Sequence, residues 1–166
     1  MDATTPTESG QGRVGSRGDA TDPTRRAWKA AMEANATLLA RFDEDFRADA
    51  GIDIRTYDAL LHVFNAGPPG IRMTDLAREV VLTKAGLTSL IDRLEARSFV
   101  QRTPDPLDRR AFRITLTTEG KRVFRTAARI HVAGIHERIG NHMSREEARL
   151  VAEVFERIKS ENLQSR

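Results

Sequence analysis

Pro104-Asp105-Pro106-Leu107-Asp108-Arg109-Arg110-Ala111, running into Phe112-Arg113-Ile114-Thr115-Leu116, governs the architecture of this chain. Residues 112–116 alternate apolar and polar side chains with a period of two, the pattern of a half-buried strand. Phe99-Val100-Gln101-Arg102 before them also reads as extended. Between the two, Pro104 and Pro106 cannot continue a hydrogen-bonded ladder, so the connection is expected to project as a turn. Its tip carries Asp108, Arg109 and Arg110, with Arg113 on the returning strand. The expectation is a two-stranded hairpin with a charged tip.

Upstream of the hairpin lie two short helical patterns. Thr74 is the expected cap of the first, which carries Leu76, Ala77, Val80 and Val81. Thr83 is the expected cap of the second, which repeats apolar residues at Leu87, Leu90, Ile91 and Leu94. Before them, Tyr57, Leu60, Leu61 and Phe64 mark one face of a helix over about 55–66, stopped by Gly67-Pro68-Pro69-Gly70. Farther upstream, Asp22-Pro23 signals a helix start, and Trp28, Ala31, Leu38, Leu39, Phe42 and Phe46 carry helical spacing to about residue 49. Downstream, Thr117 or Thr118 opens a helix bearing Val123, Phe124, Ala127, Ile130, Ile135 and Ile139. Ser144 with Glu147 forms a capping box for a last helix striped with Val151, Val154, Phe155 and Ile158. The chain is thus expected to be mainly α with a small β-hairpin wing, in the order α1-α2-α3-α4-β-wing-β-α5-α6.

Bulk properties narrow the function. At 166 residues, with 39% hydrophobic and 31% charged side chains, the chain suits one largely helical domain with wet helix faces. No apolar run approaches the length of a membrane span, and the Thr- and Gly-rich start does not resemble a secretory signal. The absence of cysteine excludes disulfides, thiolate metal sites and thiol switches, and a cytoplasmic location is expected. The net charge of +3 is mild, so the placement of cations matters more than their sum. Residues 1–21 hold four glycines and few large apolar side chains, and read as a disordered tail. Arg13 and Arg17 would suit an accessory nucleic-acid contact there.

A compact pair of short helices followed by a charged hairpin is a unit suited to a DNA major groove. With Leu87, Leu90, Ile91 and Leu94 turned inward, Lys84, Ala85, Thr88, Ser89, Asp92 and Arg93 face outward on the second helix. Hydroxyls, a small apolar side chain and cations suit base edges, thymine methyls and phosphates. Paired arginines on a projecting turn suit a narrow, electronegative minor groove. Asp92 on such a face would repel phosphate unless paired, so it is expected to hold Arg109 or Arg110 and orient the wing.

Residues 82–100 (LTKAGLTSLIDRLEARSFV), with Arg102, Asp105-Pro106, Asp108-Arg109-Arg110 and Ile114-Thr115-Leu116-Thr117 then Gly120, resemble the MarR family of bacterial transcription regulators. The resemblance runs from about residue 24 to 163. It implies a winged helix-turn-helix homodimer that straddles a pseudo-palindromic operator in double-stranded DNA. It also implies a winged lobe over about 55–117 within a domain of 22–166, and dimerisation helices at 22–50 and 118–163. The family pattern places major-groove contacts between Thr83 and Arg93, and matches Asp108 and Arg110 to the wing aspartate and the groove-entering arginine. The family's peroxide-sensing branch uses a cysteine this chain lacks.

A dimeric repressor released by a small phenolic or lipophilic anion is therefore expected, with Trp28, Arg41, Tyr57 and His62 as candidate lining for the effector pocket. No cofactor is expected. The rival readings are a metal sensor using His131, His136, Glu137 and His142, or a winged-helix dimer that docks protein instead of DNA. Against the first, His131 and His136 stand about 140° apart around a helix. An enzyme is not expected: the chain has no phosphate-binding glycine loop, nucleophile elbow or His-Glu-x-x-His pair.

Overall fold

The computed structural model describes residues 22–80, 82–108 and 111–164. The expected tail at 1–21 lies outside them. The chain divides into two compact units between Thr37 and Leu38.

The first unit is the opening of α1 (Pro23–Asp45). Asp22 Oδ1 accepts the Thr24 N–H at 3.1 Å, and Pro23 takes the first helical position, where its missing N–H costs nothing. Trp28 is 63% exposed on this stretch.

The second unit begins with the rest of α1, whose Phe42 and Phe46 are buried. The helix read as continuing to residue 49 instead loosens at Asp45 into a π-helical turn, Phe46–Ala50. Gly51, at φ 65°, ends it in the left-handed region that glycine tolerates. Asp53 caps α2 (Ile54–Ala66) by accepting the Thr56 N–H at 2.7 Å. Tyr57, Leu60 and Val63 of α2 are buried, whereas Phe64 stays half exposed and packs on Phe124 of α5, ring centres 4.5 Å apart.

The Gly-Pro-Pro-Gly turn leads to a short strand that periodicity did not reveal, β1 (Ile71–Arg72). At Gly70, φ 99°, a Cβ would stand 2.6 Å from the Ile114 carbonyl oxygen, so only glycine admits this approach. β1 pairs antiparallel with β3 (Phe112–Leu116), which pairs with β2 (Val100–Pro104), giving a three-stranded sheet ordered β1-β3-β2. The expected two-stranded hairpin thus has a third member. Pro104 closes the β2 ladder opposite Phe112, because a terminal position does not need the N–H that proline lacks.

Between β1 and β2 sit α3 (Met73–Glu79) and α4 (Lys84–Ala96). Thr74 falls inside α3 and does not cap it; Arg72 holds the cap position without a side-chain bond. Thr83 caps α4 as expected, accepting the Gly86 N–H at 3.1 Å. Leu87, Leu90, Ile91 and Leu94 bury the inner face of α4 against Leu60, Leu76, Val100 and Ile114 in one core. Each such side chain contributes roughly 1.5–3 kcal/mol on burial.

Thr117 then caps α5 (Thr118–Arg138) through the Gly120 N–H, and α5 buries Val123, Phe124 and Ala127. A short 3₁₀ turn, Gly140–His142, precedes α6 (Arg145–Gln164). Its capping box is complete: Glu147 Oε2 accepts the Ser144 N–H at 2.8 Å, and Ser144 Oγ accepts the Glu147 N–H at 3.2 Å. No helix among the described residues is long and apolar enough to cross a membrane.

Candidate nucleic-acid interface

Helix α4 presents the expected face. Lys84, Ala85, Thr88, Ser89, Asp92 and Arg93 are all exposed, together with the capping Thr83. Burial of the four apolar residues at three- and four-residue spacing leaves the opposite side of the helix wet. The α4 N-terminus, with Lys84 in its first turn, adds the positive end of the helix dipole to that face.

The wing hangs on one buried carboxylate that sequence reasoning did not single out. Asp105 is 2% exposed. Its Oδ2 meets Arg72 Nε at 2.7 Å and Arg113 Nε at 2.8 Å. Its Oδ1 accepts the backbone N–H groups of Leu107 and Asp108 at 2.8 and 3.2 Å. The hydrogen bond from Arg72, with the backbone bond from Leu107 and the charge of Arg113, holds this carboxyl well below the usual carboxylate range against the opposing cost of burial. One side chain therefore turns the chain and ties β1, β3 and the tip together. Two further bonds close the turn: Asp105 N–H to the Ala111 carbonyl, and Ala111 N–H to the Asp108 carbonyl, both 2.9 Å.

This arrangement corrects one expectation and gives Asp92 a partner that sequence reasoning did not name. Arg113, expected on DNA, is mostly buried; its Nη1 donates to the Gly70 carbonyl at 2.8 Å, so it anchors the wing root. Asp92, whose expected partners Arg109 and Arg110 are not among the described residues, accepts from Arg102 Nη2 of β2 at 2.5 Å. Arg102 also pairs with Glu95, whose Oε1 accepts the Arg102 backbone N–H at 3.1 Å. Asp92 and Glu95 thus lock α4 to the first strand of the wing, and the phosphate-repelling charge of Asp92 is neutralised one strand away. Arg109 and Arg110 lie outside the described residues. Asp108 stands beside them at the turn, next to Leu107, which is 86% exposed.

Arg93 of α4, Arg97 just past its end and Arg47 of the π-helical turn line a cleft of about 340 Å³ near the start of α2. Arg47 is held by Asp43 at 2.7 Å, and Arg97 donates to the Gly51 carbonyl at 3.0 Å. The cleft carries the basic face of α4 toward the π-helical turn, an extension that needs the fold to be seen.

The expected effector residues are dispersed. A cavity of about 450 Å³ is lined by Leu39, Arg55, Tyr57, Leu61, Leu82 and His131, among others. Tyr57 is the one expected residue on its wall. Arg41 instead pairs with Glu44 at 2.8 Å, and His62 stands 3.5 Å from Asp58, while Trp28 belongs to the first unit. The Tyr57 hydroxyl and His131 Nδ1 are 3.1 Å apart, with Phe42 and Phe46 packed on the imidazole. Burial lowers the His131 imidazole from its ordinary value and raises the Tyr57 phenol.

Comparison with known proteins agrees with this geometry. The MarR family model matches residues 50–111, the span from the π-helical turn to the wing. The chain is 30% identical over 118 residues to the HTH-type transcriptional repressor YetL of Bacillus subtilis, covering 69% of this chain and 71% of YetL. Among solved structures it resembles Sco3205, a MarR family regulator from Streptomyces coelicolor in complex with DNA, with 29% identity and a TM-score of 0.77 over 86% of this chain and 92% of that one. It also resembles AbsC, a MarR family regulator from the same organism, with 26% identity and a TM-score of 0.76 over 88% and 97% of the two chains. An exposed α4 face beside a wing fastened at its root is what a duplex-reading protein of this kind needs, and the chain belongs to the MarR family: it is a DNA-binding transcriptional regulator with a winged-helix fold, not an enzyme.

Proposed function

We propose that the protein acts in the cytoplasm as a homodimeric repressor, binding a pseudo-palindromic promoter site and leaving it when a small lipophilic anion binds. The observation that carries the dimer is α6. Leu150, Val151, Val154, Phe155 and Ile158 recur along one stripe, and each is 39–50% exposed within a single chain. Val132 and Ile135 of α5 are exposed as well. An apolar stripe of this length is costly in water and is economically covered by a second copy. Two copies place two α4 helices on successive major-groove faces, roughly 34 Å apart, and occupancy of a promoter would exclude polymerase. In this reading Thr83, Lys84, Ala85, Thr88, Ser89 and Arg93 read the major groove, and Arg109 and Arg110 reach the minor groove.

The effector reading rests on the cavity at Tyr57. Leu39, Leu61 and Leu82 supply apolar wall, Arg55 a cation, and Tyr57 and His131 polar edges, a combination suited to an aromatic acid or a phenolate. Footprinting on the intergenic DNA beside the gene tests the whole reading. A protected inverted repeat overlapping the promoter is expected, and its absence from that region would count decisively against repression.

A further inference from the structure

Leu107, at the wing tip, is 86% exposed, more than any other large apolar side chain among the described residues. Phe112, the first residue of β3, is 52% exposed, and its register partner is Pro104 at the end of β2. Pro104 and Pro106 are exposed too, so the far end of the hairpin carries apolar surface beside its charges.

Single apolar residues on a surface are ordinary, and what distinguishes Leu107 is how it is held. Its N–H donates to Asp105 Oδ1 at 2.8 Å, as does that of Asp108 at 3.2 Å. Asp105 is buried and gripped by Arg72 and Arg113, and the ring of Pro106 fixes the backbone before Leu107. The Ala111 N–H closes the far side on the Asp108 carbonyl at 2.9 Å. Every residue except proline supplies the N–H that this turn needs at position 107, so the fold itself does not call for leucine. A leucine fixed in water is a disadvantage unless something covers it.

The position of the wing says what does. Arg102 fastens β2 to Asp92 and Glu95 of α4, so wing and exposed helix face meet one duplex together. The minor groove offers acceptors on its floor, but its walls are deoxyribose C–H edges, an apolar surface that a guanidinium does not satisfy. Proteins that enter this groove frequently bring apolar side chains along with their cations.

We infer that Leu107 is itself a DNA contact: its side chain packs against the deoxyribose walls of the minor groove and leaves water there. The inference rests on the wing reading proposed above, and it adds a part of the binding energy that carries no charge. Phosphate contacts weaken steeply with salt because they release counterions, whereas burial of a leucine does not. The wing thus keeps part of its hold on DNA at salt concentrations that screen its arginines.

The test uses the full chain and a duplex that the parent protein selects from a random pool. Leu107→Ala is expected to weaken binding about ten-fold at every salt concentration, with the slope of log K against log salt unchanged. Leu107→Met, which keeps the apolar volume, should bind within about two-fold of the parent. Both variants, free of DNA, should melt with the parent, because so exposed a side chain contributes little to folding. The chain has no cysteine, so Leu107→Cys accepts a single iron–EDTA label per protomer. Cleavage of the duplex from that label should show the strand stagger of minor-groove attack.

Unchanged affinity in Leu107→Ala, with tight binding lost in Arg109→Ala plus Arg110→Ala, would overturn the inference and leave the wing reading standing. Full affinity in both would remove the two together. A flattened salt slope or a lowered melting temperature in Leu107→Ala, or the stagger of major-groove attack, would equally overturn it.

Discussion

Arg72 and Asp105, 33 residues apart in sequence, meet at 2.7 Å beneath the wing, guanidinium to a carboxylate that is out of contact with water. Arg72 ends β1, Asp105 follows β2, and Arg113 of β3 shares the same oxygen. The junction fastens the wing at its root, alongside the pairing of Arg102 with Asp92 and Glu95. Leu107, the large apolar residue at the tip, is exposed.

Replacing the charge should therefore uncouple the wing while sparing the helices. Asp105→Asn is expected to lower the melting temperature and weaken operator binding by about ten-fold or more, since Arg72 and Arg113 lose their counter-charge. Far-UV circular dichroism at 25 °C should remain that of the parent. Unchanged DNA affinity in this variant would show that the wing does not depend on the junction.

Acid should reproduce the effect. The folded Asp105 carboxyl titrates below its ordinary value of 3.8, so the unfolded chain binds a proton more readily than the folded one. Its contribution to stability is present above the unfolded value and is lost as pH falls from there toward the lower folded value. Urea midpoints measured through the acid range should fall with pH, and fall less steeply in Asp105→Asn.

Salt dependence separates phosphate contacts from base reading. Lys84→Ala is expected to weaken all duplexes similarly and to reduce the slope of log K against log salt by about one. Arg93→Ala or Thr88→Val should instead reduce discrimination between the operator and single-base variants, by roughly 1–3 kcal/mol at the contacted position. Arg109→Ala with Arg110→Ala should abolish tight binding if the tip reaches the minor groove. Wild-type affinity for this pair would remove the wing from the interface.

The α6 stripe makes a prediction about assembly. Val154→Asp with Ile158→Asp places carboxylates on the apolar face without touching the winged lobe. Sedimentation should show a monomer, and operator affinity should fall on the order of 100-fold, because linkage of the two half-sites is lost. A dimer that survives both substitutions would move the interface elsewhere.

Gly120 tests packing where α5 joins the wing. A Cβ there would lie 1.8 Å from the Phe99 carbonyl oxygen, a backbone atom that cannot swing aside. Gly120→Ala is expected to destabilise by at least about 1–3 kcal/mol despite alanine's better helix propensity, as thermal melts would show.

Much of this molecule is written locally. Asp22-Pro23, Thr83, Thr117 and the Ser144–Glu147 box mark helix starts, because a cap bonds to N–H groups two or three residues on. The period-two run at 112–116 and the inward set on α4 follow from backbone geometry alone, so the strand, the exposed face of α4 and the family were all legible in the chain. The two-residue β1 is too short to show a period, and it exists because β3 supplies its partner. Which charges meet was likewise beyond local reading. Asp92 was free by sequence to choose any nearby arginine, and only the packing of α4 on β2 delivers Arg102 to it. Arg113, by its position on the wing, suited DNA as well as it suited Asp105, until β1 closed over it. The lining of the cavity at Tyr57 was beyond local reading for the same reason: Arg41 pairs with Glu44 on its own helix, whereas Arg55 and His131 are brought to that cavity by the packing of distant segments. Sequence spacing determines contacts within a few residues; contacts across tens of residues are chosen by which surfaces the core brings together.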